Sequence, residues 1–360
     1  IRRRAFCSRF TFPSLAAATV PGDRVAIAVD EGLPCVAALV RGAVESFEKA
    51  GVDRESISIV TTDGDTGRLC REEFASHSAR VPQVVVHDPD DAEDLCMFGI
   101  NKRKEPLQVN RTIFDADIVL PISPARAGGH SACGCLFPSF SNAEVIASYR
   151  TPENLVSPHD VAKKAKEAEE ADWLIGSLMA VQVVPGAAET VAHVVAGEPR
   201  AVAQRCDQLY AERWSFVSPR QVSLVIANIS GGAEAQTWQN VGRALLAAEN
   251  LVAEGGAIAI CSNLETPPGE SLSLLMKSAD LEKTARRILR SDVADSLPAW
   301  QVVRALQRGP VYFLSQLEAD TVEDLGFAPI ANLGELARLA SRHESCVVID
   351  DAQRAIVAVE

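Results

Sequence analysis

The chain has 360 residues, enough for about two domains, and 47% of them are hydrophobic whereas only 5% are aromatic. Its formal net charge of −13 disfavours nucleic acid and anionic membrane surfaces as partners. Because its nine cysteines form no Cys-x-x-Cys pair and no apolar run approaches about 18 residues, we expect a cytoplasmic protein without disulfides or a membrane span.

The first half of the chain alternates short apolar runs with helical patterns. The apolar runs predict buried strands at residues 25–29, 57–61, 82–86 and 118–122, and residues 173–184 are predicted as further strand. Helical spacing is found over residues 34–50, 71–78 and 161–170. Such alternation predicts a parallel sheet with helices on both faces, in which ligands bind beyond the carboxyl ends of the strands.

A second alternating block follows a predicted hinge, which consists of a helix over 199–214 and the turn Ser218-Pro219. Its strands are predicted at residues 222–227, 257–261, 310–314, 346–349 and 355–359, with a helix over 236–249. The sequence thus predicts two α/β domains with mainly parallel sheets and a ligand cleft between them. We assign residues 1–215 and 216–345 to these domains. For the last strands, over 346–360, a return to the N-terminal domain is one option.

The segment 126–138 follows the strand over 118–122 and is rich in glycine. Glycine allows a close approach of the backbone to a ligand, and the following helix offers unpaired N–H groups at its start. We therefore predict that Gly128, Gly129 and Gly134 bind substrate and that His130 takes part in acid–base chemistry.

The same segment carries two cysteines, Cys133 and Cys135, close to His130. Thiolates and an imidazole suit zinc or nickel, and a thiolate is also a nucleophile. The spacing matches no standard zinc site, which needs a further ligand. We favour packing of the cysteines beneath the glycine-rich loop and predict no metal site.

Acidic residues follow the first two predicted strands. Asp30 ends the first strand and Asp65 follows the second, so each is a candidate acid or base. The alternatives are a helix cap for Asp30 and an ordinary Asp-Gly turn around Asp65. His87 follows the third strand, and we favour a hydrogen bond within its own loop over a ligand role.

Asn240 and Arg243 lie one helical turn apart in the second block, so their side chains share one face. An amide and a guanidinium so placed can bind a carboxylate, although a solvated arginine is the alternative. The chain has no Walker A sequence, no Gly-x-Ser-x-Gly, no His-Glu-x-x-His and no Gly-x-Gly-x-x-Gly after a predicted strand. Standard nucleotide-binding and hydrolase functions therefore lose their main support.

The order of these pieces resembles the nickel-dependent lactate racemase family over nearly the whole chain. Residues 29–34 resemble its Asp-Asp-x-Thr-Arg-Pro turn, and residues 57–69 resemble the strand leading to its Gly-Thr-His-Arg. Residues 127–138 resemble its Ala-Gly-Phe-Ser-Gly-Gly-Ala-Lys-x-x-Leu-Pro loop, and residues 230–245 its Gly-Gly…Gln-x-x-Lys-Ala-Leu signature.

The resemblance implies two hinged α/β domains with a cofactor and a 2-hydroxy acid in the cleft. In that family a lysine tethers a pyridinium-derived pincer cofactor that holds nickel, and a histidine completes the metal shell. Two further histidines exchange the α-proton of the substrate. An arginine with a Gln/Lys pair binds its carboxylate.

This chain departs from the family at most of those positions. Gly134 stands at the position of the tethering lysine, and Arg150 at that of the nickel-binding histidine. Pro124 and Thr66 occupy the proton-transfer positions, and Leu33 replaces the arginine of the first turn. No lysine occurs between residues 104 and 163, so the covalent attachment cannot form in this loop. We therefore predict no nickel-pincer cofactor and a loss of the family mechanism.

These observations favour a lactate-racemase-like protein with an isomerase-like fold and divergent activity on a small 2-hydroxy or carboxylic acid. The catalytic candidates are Asp30, Asp65, Thr66 and His130. Asn240 and Arg243, which replace the family's Gln and Lys, are the carboxylate-binding candidates. A non-catalytic small-anion binding or regulatory protein is the main alternative, and a functional nickel-pincer racemase is a weaker one. A homodimer is a further expectation.

Overall fold

The computed structural model describes residues 15–75, 81–101, 104–126, 136–152, 158–276, 278, 280–291 and 293–360. The chain divides into two compact units. Unit 1 comprises residues 1–149 and 161–210, and unit 2 comprises residues 150–160 and 211–360. In both units the main sheet consists mostly of parallel strands, so the predicted α/β fold class is confirmed.

Unit 1 is organised around a six-stranded sheet with the strand order β3-β2-β1-β6-β7-β8. Its strands are β1 (Val25–Val29), β2 (Ile57–Thr61), β3 (Gln83–Val86), β6 (Ile118–Pro124), β7 (Ala180–Pro185) and β8 (Val191–Gly197). All neighbours are parallel except β7 and β8. A separate antiparallel hairpin is formed by β4 (Leu95–Ile100) and β5 (Pro106–Asn110).

Both faces of this sheet are covered, as the continuous apolar runs predict. Every residue of β1 is buried. Val25, Ile27 and Val29 belong to one apolar cluster, whereas Ala26 and Ala28 belong to another. Because successive side chains of a strand point to opposite faces, β1 contributes to two separate cores.

The helices of unit 1 are α1 (Leu15–Ala18), α2 (Val36–Lys49), α3 (Gly64–Ala75), α4 (Arg111–Phe114), α5 (Ala143–Tyr149), α6 (Pro158–Ile175) and α7 (Pro199–Trp214). The prediction of strand from residue 173 onward is wrong at its start, because α6 continues through Ile175. Trp173 is 74% exposed, which fits the solvent side of a helix end and not a buried strand. Gly176, whose φ is 89°, follows the end of the helix.

Unit 2 contains a five-stranded parallel sheet with the order β13-β12-β11-β10-β14. Its strands are β10 (Val222–Asn228), β11 (Val252–Cys261), β12 (Val311–Leu314), β13 (Ala328–Pro329) and β14 (Cys346–Ile349). Its helices are α8 (Trp238–Leu251), α9 (Glu270–Ser273), α10 (Leu281–Leu289), α11 (Ser296–Arg308), α12 (Ala319–Asp324) and α13 (Leu333–Ala340).

The C-terminal strands belong to unit 2, which corrects the option that they return to the N-terminal domain. β14 pairs with β10 in the main sheet. β15 (Ile356–Val359) pairs in parallel with β9 (Ser215–Ser218), which follows α7 directly. The buried Val357 of β15 packs in the apolar cluster of unit 2, and this burial holds the end of the chain there.

None of the helices in the described ranges is long and apolar enough to cross a membrane.

Candidate functional site

The strand order of unit 1 reverses at β1. β2 and β3 lie on one side of β1, whereas β6 and β7 lie on the other. In open parallel sheets the two connections diverge at such a reversal and leave a crevice at the carboxyl ends of the strands. The residues that follow β1, β2 and β6 therefore define the candidate site. Asp30 follows β1, Thr62 follows β2, and Arg126 lies two residues after the end of β6.

An ion pair occupies this reversal. The Arg126 guanidinium donates from Nη1 to Oδ2 of Asp30 over 2.7 Å and from Nη2 to the carbonyl oxygen of Glu31 over 2.9 Å. The other carboxylate oxygen of Asp30, Oδ1, accepts from the backbone N–H of Glu31 over 2.9 Å. The Asp30 side chain is 4% exposed and that of Arg126 is 29% exposed. The hydrogen bonds thus fix the orientation of the pair, and the guanidinium is its solvent-accessible part.

The alternative that Asp30 caps the following helix is wrong. The N-cap position of α2 is Cys35, whose backbone is in the left-handed region at φ 53°. The backbone N–H of Asp30 instead donates to the carbonyl of Ile122 in β6 over 3.0 Å, which extends the β1–β6 contact to the strand end. The Asp30 carboxylate accepts a hydrogen bond from Arg126 and does not cap a helix.

The loop after β2 is a helix start. Asp63 accepts from the backbone N–H of Thr66 through Oδ1 over 2.8 Å, and α3 begins at Gly64. The predicted ordinary Asp-Gly turn is therefore replaced by the first turn of α3. The Asp65 carboxylate is 78% exposed and lies 3.6 Å from the guanidinium of Arg68. Asp65 thus faces solvent on the helix surface, and no observation assigns it a chemical role.

Two buried polar atoms in the residues after β2 are unsatisfied within the described part of the chain. Thr62 follows β2 and donates its backbone N–H to Val29 of β1 over 3.3 Å, which places it next to Asp30. Oγ1 of Thr62 and Oδ2 of Asp63 have no hydrogen-bond partner among the described residues. Because buried polar groups are rarely left unpaired in native proteins, these atoms mark a place where a polar group is expected.

His87 forms hydrogen bonds through its ring, but the prediction that they lie within its own loop is wrong, because both partners belong to distant segments. Its Nε2 donates to the carbonyl of Ser141 over 2.8 Å, and its Nδ1 accepts from the amide of Asn110 at 3.4 Å. Burial lowers the pKa of His87, so its neutral form is favoured. With both ring nitrogens occupied, this imidazole stabilises the loop after β3.

Most of the predicted glycine-rich loop is not described by the structure. Residues 127–135 lie outside the described residues, and they include the predicted site residues Gly128, Gly129, His130 and Gly134 together with the two cysteines. The described chain reaches the loop at Arg126 and resumes at Leu136. Phe137 is then held by a hydrogen bond from its N–H to the carboxylate of Asp172 over 2.9 Å.

In unit 2 the predicted pair Asn240 and Arg243 is in direct contact. Nη1 of Arg243 donates to Oδ1 of Asn240 over 2.9 Å. The Asn240 amide donates in turn to the carbonyl of Ala235 over 2.8 Å. Thr237 caps α8 by accepting from the Asn240 N–H over 3.2 Å. The amide orients the exposed guanidinium, so the shared helix face is confirmed whereas carboxylate binding stays a prediction.

Several polar residues at strand ends have no role in the sequence analysis. Arg126 follows β6 and is the partner of Asp30. In unit 2, Oδ1 of Asp350, which follows β14, accepts from Asn228 over 2.7 Å and from Ser230 over 2.9 Å. These bonds lower the pKa of Asp350. The common signal is a charged residue just after a strand, since Arg126 lies two residues after β6 and Asp350 directly follows β14.

The residues of the site do not fit the nickel-pincer group that the resemblance implies. At the positions aligned with the family's proton-transfer and nickel-binding imidazoles stand Thr66, Pro124 and Arg150, none of which is an imidazole. Both ring nitrogens of His87 are already engaged. Within the described parts of the chain, no group of three His, Cys, Asp or Glu side chains is arranged to hold a metal ion. We derive no chemical step through this group.

The fold is that of lactate racemase. The structure of the lactate racemase apoprotein from Thermoanaerobacterium thermosaccharolyticum superimposes with a TM-score of 0.82 at 17% identity, over 99% of this chain and 91% of that one. A structural-genomics target protein from Thermotoga maritima gives a TM-score of 0.71 at 11% identity, over 96% of both chains. No family model and no curated protein matches the sequence.

Proposed function

We propose that this protein binds a small 2-hydroxy or related carboxylic acid at the carboxyl edge of the unit 1 sheet and acts on it with Asp30 and Arg126. The observation that carries the proposal is the ion pair between these residues at the reversal of strand order, with the carboxylate buried and the guanidinium partly exposed. The activity would be isomerase-like, in keeping with the fold that the chain shares with a lactate racemase apoprotein.

The chemistry assigns a different role to each member of the pair. Asp30 supplies a carboxylate that accepts a proton from the substrate and returns it. Arg126 supplies a planar cation, which suits a carboxylate ligand and the negative charge that develops when a proton leaves the neighbouring carbon. The unsatisfied Oγ1 of Thr62 and Oδ2 of Asp63 support the presence of a polar ligand or its ordered water at the same edge.

A non-catalytic anion-binding function is the second candidate, and a specific observation favours it. Both carboxylate oxygens of Asp30 already accept hydrogen bonds, from Arg126 and from the Glu31 backbone. Both oxygens are therefore already engaged by donors of the protein itself, as expected for a carboxylate that holds Arg126 in place. Thr66 and Pro124 offer no strong base either.

Two measurements on the same variants separate these candidates. Binding of a panel of 2-hydroxy and 2-oxo acids is measured by calorimetry, and exchange of the α-proton for deuterium is followed by NMR in heavy water. We expect Arg126→Gln to lose at least about tenfold in affinity, since a charge-assisted pair is replaced by a neutral amide. Asp30→Asn should abolish exchange while binding is retained.

The matched control is Arg54→Gln. Arg54 also forms a bidentate ion pair, with Glu48 at 2.7 Å for both bonds, but it precedes β2 and so lies at the opposite edge of the sheet. This variant should bind and exchange like wild type. Binding without exchange in wild type would support the anion-binding candidate. The absence of binding by wild type, or equal binding by both arginine variants, would refute the site.

The Asn240–Arg243 pair is proposed as a separate carboxylate contact in unit 2. The amide holds the guanidinium at 2.9 Å, so the cation is oriented before a ligand arrives. Arg243→Ala should weaken the binding of carboxylic acids without changing binding of their uncharged amides. Equal binding of the acids by wild type and variant would show that Arg243 does not bind the ligand carboxylate.

A further inference from the structure

Unit 2 contains an open pocket at the carboxyl edge of its own sheet, distant in sequence from the Asp30–Arg126 pair. Its volume is about 640 Å³, and it is lined by residues that follow β10, β11 and β12 and by the start of α13. This volume lies within the range of about 300–1,000 Å³ that is typical of small-molecule sites. The carboxyl edge of a parallel sheet is also where such sites are found.

The lining of the pocket is amide-rich. Four of the lining residues, Asn228, Asn263, Gln316 and Asn332, have carboxamide side chains, and that of Asn228 donates to Asp350 over 2.7 Å. None of the described lining residues carries a carboxylate, an ammonium or a guanidinium group, and none is aromatic. An anionic ligand would lack a counter-charge among these residues, and the Asp350 carboxylate beside Asn228 would repel it. A nucleobase would lack a ring on which to stack.

The walls of the pocket are fixed before a ligand arrives. Gln236, which is 8% exposed, accepts through Oε1 from the Ser262 hydroxyl at 2.8 Å and from the Asn263 N–H at 2.9 Å. Its amide group donates to the carbonyls of Gly231 and Gly232 at 3.3 and 3.4 Å. The loops after β10 and β11 are thus joined through one buried side chain.

Backbone bonds extend this rigid frame to the loop after β12. The N–H of Gln316 donates to the carbonyl of Leu264 over 3.1 Å, and that of Ser262 donates to Leu314 over 2.9 Å. On the opposite wall, Asn332 caps α13 by accepting from the Glu335 N–H over 3.1 Å. A preorganised wall lowers the entropic cost of ligand binding.

We infer that this pocket binds a neutral, hydroxyl-rich small molecule such as a sugar or polyol. A carboxamide carries a donor and an acceptor side by side, and so does each pair of neighbouring hydroxyls on such a ligand. Leu314 and Leu333 offer apolar surface to its C–H faces. The inference concerns unit 2 alone and does not depend on the function proposed for Asp30 and Arg126.

The inference is tested by saturation-transfer NMR and calorimetry on the full chain. D-glucose and D-sorbitol are the neutral probes, with gluconate and adenosine as charged and nucleobase comparisons. We expect the neutral probes to bind in the millimolar range and more tightly than both comparisons. The double variant Asn263→Ala/Gln316→Ala removes two exposed amides and should weaken their binding at least about tenfold.

Two controls keep the test specific. Gln221→Ala removes an exposed amide that precedes β10, at the opposite edge of the sheet, and should leave polyol binding unchanged. Arg126→Gln should also leave it unchanged, which separates this pocket from the site in unit 1. If the double variant is misfolded by circular dichroism, Gln316→Ala alone is used, with an expected loss of about threefold.

Three outcomes would overturn the inference. They are the absence of binding by the neutral probes, equal binding by the amide variant and wild type, and tighter binding of gluconate or adenosine than of the neutral probes.

Discussion

Removal of the Arg126 guanidinium should destabilise unit 1, because it leaves the Asp30 carboxylate buried beside an empty position. The Asp30 side chain is only 4% exposed. Loss of one partner of a fully buried ion pair costs about 3–5 kcal/mol. Since Arg126 itself is 29% exposed, water partly replaces it, and we expect Arg126→Ala to lower the free energy of unfolding by about 2–3 kcal/mol.

A double-mutant cycle isolates the interaction from the loss of the side chains. Asp30→Asn removes the charge and keeps the shape, so Arg126→Ala should cost much less in that background. We expect a coupling free energy of about 1–3 kcal/mol between the two positions. Arg54→Ala is the comparison, because its ion pair with Glu48 is partly exposed and should be worth no more than about 1 kcal/mol.

The assay must report on unit 1 alone, since a chain with two units need not unfold in one step. Native-state hydrogen exchange of the β1 peptide (Val25–Val29), read by mass spectrometry, measures the opening of the sheet that holds the pair. Two results would show that Asp30 and Arg126 are not a buried, coupled pair. They are strictly additive effects of the two substitutions and a loss of stability below about 0.5 kcal/mol for Arg126→Ala.

Three further predictions test other parts of the structure. Gly309→Ala should lower the free energy of unfolding by at least about 2 kcal/mol in a denaturant titration, because the new Cβ would collide with a backbone carbonyl of β11. Gly64→Ala is the control, since open space surrounds Gly64, and it should be neutral or stabilising. Burial lowers the pKa of His87, so its contribution to stability is complete above its ordinary pKa of about 6.5 and is lost as the pH falls through the folded value. His87→Gln should therefore reduce the drop in melting temperature between pH 7.5 and 5.5, and an unchanged drop would contradict this. Burial raises the pKa of Cys70 to about 12, so iodoacetamide at pH 8 should label the exposed Cys35 and not Cys70, as peptide mass spectrometry can show.

The fold could be predicted well where apolar periodicity is strong. The run over β1 is continuous and every residue is buried. The helical spacing predicted over residues 34–50 corresponds to α2, whose apolar residues, such as Val36, Leu39 and Val44, are buried. Prediction failed where periodicity does not distinguish the two states. The segment around Trp173 is apolar but helical, and the pairing of β15 with β9 depends on long-range contacts that no local pattern encodes.

The candidate site could be predicted in part. Asp30 was identifiable as a candidate site residue because it is a carboxylate directly after a buried strand, at the edge where ligands bind. Arg126 stood at the start of the glycine-rich segment, but its pairing with Asp30, 96 residues away, depends on the adjacency of β1 and β6. The exposure of Asp65 was not predictable, because it follows from the start of helix α3 at Gly64; its role as an acid or base stays a prediction.

A crystal structure of the protein with a bound 2-hydroxy acid would test the Asp30–Arg126 site directly. We predict density at the carboxyl edge of the unit 1 sheet, with the ligand carboxylate about 2.7–3.2 Å from the Arg126 guanidinium and a ligand hydrogen-bonding group within reach of Asp30. A ligand bound elsewhere, with the Asp30–Arg126 pair unchanged and no density beside it, would contradict the proposed site.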